Sequence, residues 1–309
     1  MSFIVKIYKK NFLQRFDKDP AIPYYSAEDF PGLYCEGNSF INSLNTKINY
    51  FVYFYKNHRN DKVILFCPGI GPGHTAYLTE IELLCRNGFK VITLDYMGCG
   101  SSEGNNLPSI NEPTRDVMEL LEHLNLDNEV VLVGHSLGAY TSLNVINLSP
   151  AIHKAVIISG FIDIASEMLG FVKLSLLANK IKRFEKKINP EYGNIDNWKY
   201  LNGTNDDLLF IHSLDDQMVN YKYNTARVAK INNSHIVIHT VDGKKHNPNY
   251  TMDAIQFMNQ SMGGYERLVK EGQLDTLEKR KEYFLDKPIG KMTEQDKEVW
   301  NIIINFINK

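Results

Sequence analysis

Cysteine is scarce in this chain: four residues (Cys35, Cys67, Cys85 and Cys99) in 309, with no C-x-x-C spacing among them. That argues against a disulfide framework and against a thiolate metal knuckle, and it points to a reducing, cytoplasmic setting. Excess charge of one sign is also missing. Lys and Arg number 34 against 36 Asp and Glu, a net charge of −2, so nothing electrostatic favours nucleic acid as a partner. No uncharged apolar run reaches 18 residues, and the first apolar stretch breaks at Lys6. We therefore expect neither an integral membrane segment nor a signal peptide. Repeats and low-complexity tracts are absent. What remains, 43% hydrophobic and 23% charged residues, is the composition of a globular protein, and the length suits one domain over residues 1–309. Oligomeric state is not legible at this level.

Strand-like and helix-like segments alternate through most of the chain. Phe40–Ser43 and Ile48–Tyr55 read as an opening antiparallel pair, rich in aromatic and β-branched residues. Val63–Cys67, Val91–Asp95, Val130–Val133, Ala155–Ser159, Leu208–His212 and Ile236–Val241 read as short buried strands. Between them run helical stripes. Leu78, Ile81, Leu84 and Cys85 form one, closed by Gly88; Val117, Leu120, Leu121 and Leu124 form another, with Ser109 and Asn111 as capping candidates. A last helix should start at the capping-box-like Thr293-x-x-Asp296, with Trp300, Ile303, Ile304 and Ile307 on one face. This alternation predicts an α/β fold: a mostly parallel twisted sheet of about eight strands, its first pair antiparallel, with helices on both faces. Residues 161–205 exceed that frame and read as a small helical cap inserted at the sheet's C-terminal edge, where ligands bind. Residues 250–291 should be helical and carry no readable chemistry.

The densest chemical signal is Gly134-His-Ser-Leu-Gly138 at the end of the run Val130–Val133. A G-x-S-x-G spacing between a buried strand and a helix is a nucleophile elbow, with Ser136 on a turn too tight for a Cβ at either glycine. Ala139, Leu143 and Ile146 then continue as a helix until Pro150. A serine hydroxyl needs a base, and the base needs an orienting carboxylate. Three of the nine histidines lie late enough in the chain: His235 before the last predicted strand, His239 within it, and His246 in the loop beyond. That loop can bring His246 to the sheet edge, so His246 is the base candidate. Asp216, Asp215 and Asp163 all follow strands and are the acid candidates. A glycine-rich loop, Pro68–His74, follows the first parallel strand; the amides of Ile70 and Leu137 are the candidate oxyanion donors. His235 and His239 would sit ~13 Å apart on an extended strand, too far for one tetrahedral ion, so no metal and no cofactor is expected.

Two further motifs carry a resemblance. Asp95-Tyr-Met-Gly-Cys-Gly-Ser-Ser is similar to a D-x-x-G-x-G-x-S loop, and His212-x-x-x-Asp216-x-x-Val219 to an H-G-x-x-D-x-x-V acid loop. With the elbow, these make the chain resemble the α/β-hydrolase superfamily over nearly its whole length, closest to monoacylglycerol-lipase-like and serine aminopeptidase-like esterases. The resemblance implies the order serine, acid, histidine, and its spacing places the acid at Asp216 rather than Asp215. It implies a serine hydrolase acting on a small-molecule carboxylic ester of small or medium acyl chain. An aminopeptidase, thioesterase or acyltransferase with the same triad, or a catalytically silent binding protein, are the alternatives. Two positions depart from the pattern: Ser213 replaces the usual glycine, and Pro68 stands where the family carries histidine before the oxyanion amide.

Overall fold

The computed structural model describes residues 2–59, 61–126 and 129–309. Its centre is a sheet of β1 (Tyr34–Ile41), β2 (Lys47–Phe54), β3 (Lys62–Cys67), β4 (Lys90–Leu94), β5 (Glu129–His135), β6 (Lys154–Ile158), β7 (Asp207–Ser213) and β8 (Ile236–Val241). Their spatial order is β1-β2-β4-β3-β5-β6-β7-β8. β2 is antiparallel to both β1 and β4, and every later pairing is parallel. Helix α1 (Phe3–Phe12) precedes the sheet, and α2 (Leu78–Arg86), α3 (Glu112–Leu124) and α4 (Leu137–Leu148) make its first crossovers. α5 (Ile164–Val172), α6 (Ser175–Ile188) and α7 (Asn197–Gly203) lie between β6 and β7, with α8 (Thr225–Val228) between β7 and β8. α9 (Met252–Lys270), α10 (Leu277–Tyr283), α11 (Ile289–Met292) and α12 (Lys297–Asn308) follow β8.

Why the central strands are continuous apolar runs is visible in the two cores. Side chains alternate across a strand, so Val63, Leu65 and Cys67 of β3, Leu132 of β5, and Leu208 and Phe210 of β7 pack on one face with α3 and α4. Ile64, Phe66, Val131, Val133, Leu209 and Ile211 pack on the other with α2 and α12. Both faces are covered, as a parallel sheet requires. Each such side chain gains roughly 1.5–3 kcal/mol from burial.

The outer elements depart from the sequence expectation. β1 starts at Tyr34, six residues before the expected position, because most of it is exposed and carries no apolar alternation. The last helix starts at Lys297, not at Thr293. Asp296 is its cap, accepting from the Glu298 and Val299 amides, whereas Thr293 closes the preceding turn by donating to the Ile289 carbonyl at 2.9 Å. Residues 250–291 are largely helical; Tyr265, Phe284 and Met292 form a separate small core with Ala21, and the Tyr265 hydroxyl donates to Asp19 at 2.6 Å.

One buried acid makes stability pH-dependent. Asp116 on α3 is fully enclosed and accepts hydrogen bonds from Asn42 at 3.0 Å and the Met97 amide at 2.8 Å. Burial outweighs both bonds and pushes its pKa up to about 7. A carboxyl raised on folding stabilises fully below its unfolded value, about 4, and that contribution is lost as pH climbs through the folded value. The melting temperature should therefore fall from pH 5 to pH 8, and Asp116→Asn should flatten the slope. Parallel wild-type and D116N curves in a calorimetric pH series would refute this.

Candidate active site

β5 ends at His135 and α4 begins at Leu137, leaving Ser136 alone in the turn at φ 55°, ψ −118°. A non-glycine residue there stores strain of roughly 1–3 kcal/mol. The turn is held by the Ser136 amide donating to the Ile158 carbonyl at 2.9 Å. It needs both glycines. A Cβ on Gly134 would fall into the Gly138 carbonyl, and one on Gly138 into the Cys67 and Pro68 carbonyls of the neighbouring loop. Ser136 occupies the cap position of α4, so the Leu137 amide is a first-turn donor without an intrahelical partner.

His246 lies in the loop after β8, and its Nδ1 is 2.9 Å from Asp216 Oδ2. The other Asp216 oxygen accepts from the Met218 and Val219 amides at 2.9 and 3.0 Å. Burial alone would raise this carboxyl. Hydrogen bonds from His212 and His246 and their charge outweigh it and hold Asp216 well below the usual range. The rival acids have other partners. Asp215 accepts from Ser213 Oγ at 2.6 Å and the Lys245 amide at 3.0 Å. Asp163 caps α5 and binds Lys182 and Trp198. His235 pairs with Asp207 at the opposite end of β8.

A polar chain that the sequence did not reveal joins the two halves of this arrangement. The Gly69 amide donates to the Tyr77 hydroxyl at 3.1 Å, and that hydroxyl bridges to His135 Nδ1 at 2.9 Å. His135 Nε2 then bonds the His246 carbonyl at 2.8 Å. Burial lowers the His135 pKa to about 3, so the ring is neutral, and only a proton on Nε2 satisfies both ends of the chain. The His135 and His246 ring centroids are 4.7 Å apart. Among the described residues the Ser136 hydroxyl has no hydrogen-bond partner.

The Pro68 departure is compensated locally. Tyr96 donates to the Pro68 carbonyl at 3.1 Å, and Tyr77 takes the Gly69 amide. At the loop's far end Asp95 Oδ1 accepts from both the amide and the ring of His74 at 2.8 Å, while its Oδ2 accepts from the amide and hydroxyl of Ser101. His74 stacks on Phe51 with centroids 3.9 Å apart, so it braces the loop instead of lining the cleft. Asp95→Asn removes one of two acceptor oxygens and strands buried donors at about 1–3 kcal/mol each. We expect it to lower the turnover of any reaction relying on the Ile70 amide by roughly 10–100-fold, with a smaller change in KM; unchanged steady-state kinetics would contradict it.

Ser136, Ile70 and Leu137 line one cleft of about 500 Å³, counted to its open mouth. Its remaining walls are mostly apolar side chains of α1, α5 and the loops after β4, β6 and β7, including Phe12, Ile110, Phe161, Ile164 and Met168, with Glu167 among them. A second cleft of about 740 Å³ is lined by His246 and Asp216 with Asn247, Gln217, Lys245 and, from α9, Ile255, Met258 and Asn259. Residues 250–291 thus reach the site after all. Cys67 and Cys99 are buried thiols, pushed by burial up to about 11 and about 12. Among the described residues no group of three or more His, Cys, Asp or Glu is arranged to hold a metal ion.

The sheet order and the elbow can be compared with known proteins. The family model described as "Serine aminopeptidase, S33" matches residues 58–203, just under half of the chain. The solved esterase Pf2001 of Pyrococcus furiosus superposes with a TM-score of 0.58 at 16% identity, over 84% of this chain and 98% of that one. The chain has the α/β-hydrolase fold. Similar curated sequences include a putative chloroplastic methylesterase 11 of Arabidopsis thaliana, 33% identical over 28% of this chain and 23% of its own. The human mitochondrial palmitoyl-protein thioesterase ABHD10 is 30% identical over 36% of this chain and 37% of its own. The matches thus span less than half the length of these relatives. No helix among the described residues is long and apolar enough to cross a membrane.

Proposed function

We propose that this α/β-hydrolase is a serine hydrolase that cleaves a carboxylic ester of a small or medium acyl group. The observation that carries the reading is the His246–Asp216 pair, linked through His135 to the elbow, beside a cleft that Ser136 shares with the amides of Ile70 and Leu137. In this reading Ser136 Oγ attacks the ester carbonyl while His246 Nε2 takes its proton. The carbonyl oxygen gathers the negative charge against the two amides, and Asp216 holds the imidazolium that forms. Collapse of the tetrahedral adduct breaks the acyl–oxygen bond, and the alcohol leaves with the proton from His246. Water, activated by the same ring, then releases the acid and restores Ser136. α5 and α6, in the segment 161–205, act as the cap, and its apolar underside takes the acyl chain. The alcohol leaves on the His246 side, where the second, more polar cleft lies. The four free cysteines fit a reducing compartment such as the cytoplasm.

A thioester, an aminoacyl amide or transfer to another acceptor would use the same groups. The test is a fluorophosphonate probe on the purified chain, beside p-nitrophenyl esters, acyl-CoA and aminoacyl p-nitroanilides. Labelling at Ser136 and ester turnover are expected. A folded wild type that does not label would favour a silent binding protein, and turnover confined to anilides or acyl-CoA would replace the ester.

A further inference from the structure

Two glutamates are buried in the helices between β6 and β7, and their surroundings differ. Glu185 on α6 is fully enclosed and accepts from Tyr8 at 2.8 Å, from Ser109, and from the Ile110 amide and Asn111 at 3.2 Å. Four donors answer its two oxygens. Glu167 on α5 is 7% exposed and faces the Ser136 cleft, yet neither carboxyl oxygen has a partner among the described residues, and Oε2 is wholly enclosed. No lysine or arginine lines that cleft. Burial, with the negative Asp216 adding to it, raises the Glu167 pKa well above the carboxylate range. Enclosure without a cation beside it favours the undissociated acid, which has one O–H donor and acceptor capacity to spare. An unanswered polar group among apolar side chains is a standing cost that nothing in the fold offsets. A ligand can offset it.

We propose that the Glu167 carboxyl is the polar subsite of the acyl cleft and selects esters whose acyl chain carries a hydroxyl or keto oxygen over plain alkanoyl esters. This rests on the ester-hydrolase reading of Ser136. A neutral acid donates to such an oxygen and accepts from a hydroxyl, and the aliphatic remainder of the chain meets Ile164, Met168 and Val219. An ammonium is the other group a carboxyl recognises. Here it would bring a charge into an apolar lining that offers its remaining N–H groups no acceptor, so a neutral oxygen fits better.

The test compares p-nitrophenyl esters of equal length, hexanoate against 3-hydroxyhexanoate and 5-oxohexanoate, on wild type, Glu167→Gln and Glu167→Met. Wild type should favour at least one oxygenated ester by on the order of 10-fold or more in kcat/KM. E167Q, whose amide still donates, should keep a preference. E167M should lose it, gain on hexanoate, and melt at a higher temperature. All three should label with fluorophosphonate. An unchanged ratio in E167M, no preference in wild type, or an E167M that fails to fold would overturn the proposal. So would a preference for aminoacyl esters that E167M abolishes, which would make the ligand an ammonium. Absence of labelling in wild type would instead remove the underlying ester-hydrolase reading.

Discussion

Ser136→Ala is expected to abolish fluorophosphonate labelling and to lower kcat for p-nitrophenyl esters by on the order of 10⁴-fold or more. The size follows from the absence of a substitute. The residues lining the cleft carry two hydroxyls, those of Ser136 and Tyr8, and the Tyr8 hydroxyl is engaged by Glu185. The nearest thiol on the adjoining strand, Cys67, is wholly buried and, with its pKa at about 11, stays a neutral thiol at physiological pH. Alanine keeps the serine's Cβ, so the left-handed turn is no more strained than before, and the melting temperature should stay within a few degrees. Residual turnover within tenfold of wild type would mean that the observed esterase chemistry arises elsewhere on the molecule.

Asp216→Asn should be nearly as damaging, on the order of 10⁴-fold in kcat. The Met218 and Val219 amides claim Oδ1 and leave Oδ2 to the histidines, 2.9 Å from His246 Nδ1 and 3.3 Å from His212 Nε2. An asparagine in the same pose keeps its oxygen toward those amides and turns its NH₂ toward the ring. Nδ1 must then accept, the ring proton moves to Nε2, and the base can no longer take a proton from Ser136. Asp215→Asn is the control. Its partners Ser213 and Lys245 only brace the loops, so its loss should cost no more than about tenfold. If D215N were the inactive variant and D216N the active one in steady-state assays, the acid assignment would be reversed.

Legibility in the sequence tracked locality. β3, β5 and β7 are readable because burial on both faces forces an unbroken apolar run, and the elbow because its glycines answer a steric demand within five residues. β1 was not readable over most of its length: its side chains face solvent, and its pairing with β2 is carried by the backbone. The true start of α12 was hidden by two capping residues in succession, Thr293 and Asp296, which serve different turns. The Tyr77–His135 bridge crosses 58 positions, and nothing in either neighbourhood announces the other. In the sequence Glu167 is a charge within an apolar segment; that it is buried and unanswered follows only from where α5 sits, beside Ser136 and the loop after β7. The carboxylate choice among Asp216, Asp215 and Asp163 depended on motif spacing, since all three follow strands.

The packing of Gly138 against the Cys67 and Pro68 carbonyls has a consequence for how this scaffold can diversify. The Ser136 turn and the Pro68–His74 loop interlock backbone to backbone, so neither can be remodelled without dislodging the other. α5 shows no such backbone interlock: Ile164, Met168 and Phe171 line the Ser136 cleft from one helix. New substrate tastes should therefore be reached by libraries confined to that helix, with the chemistry underneath inherited intact.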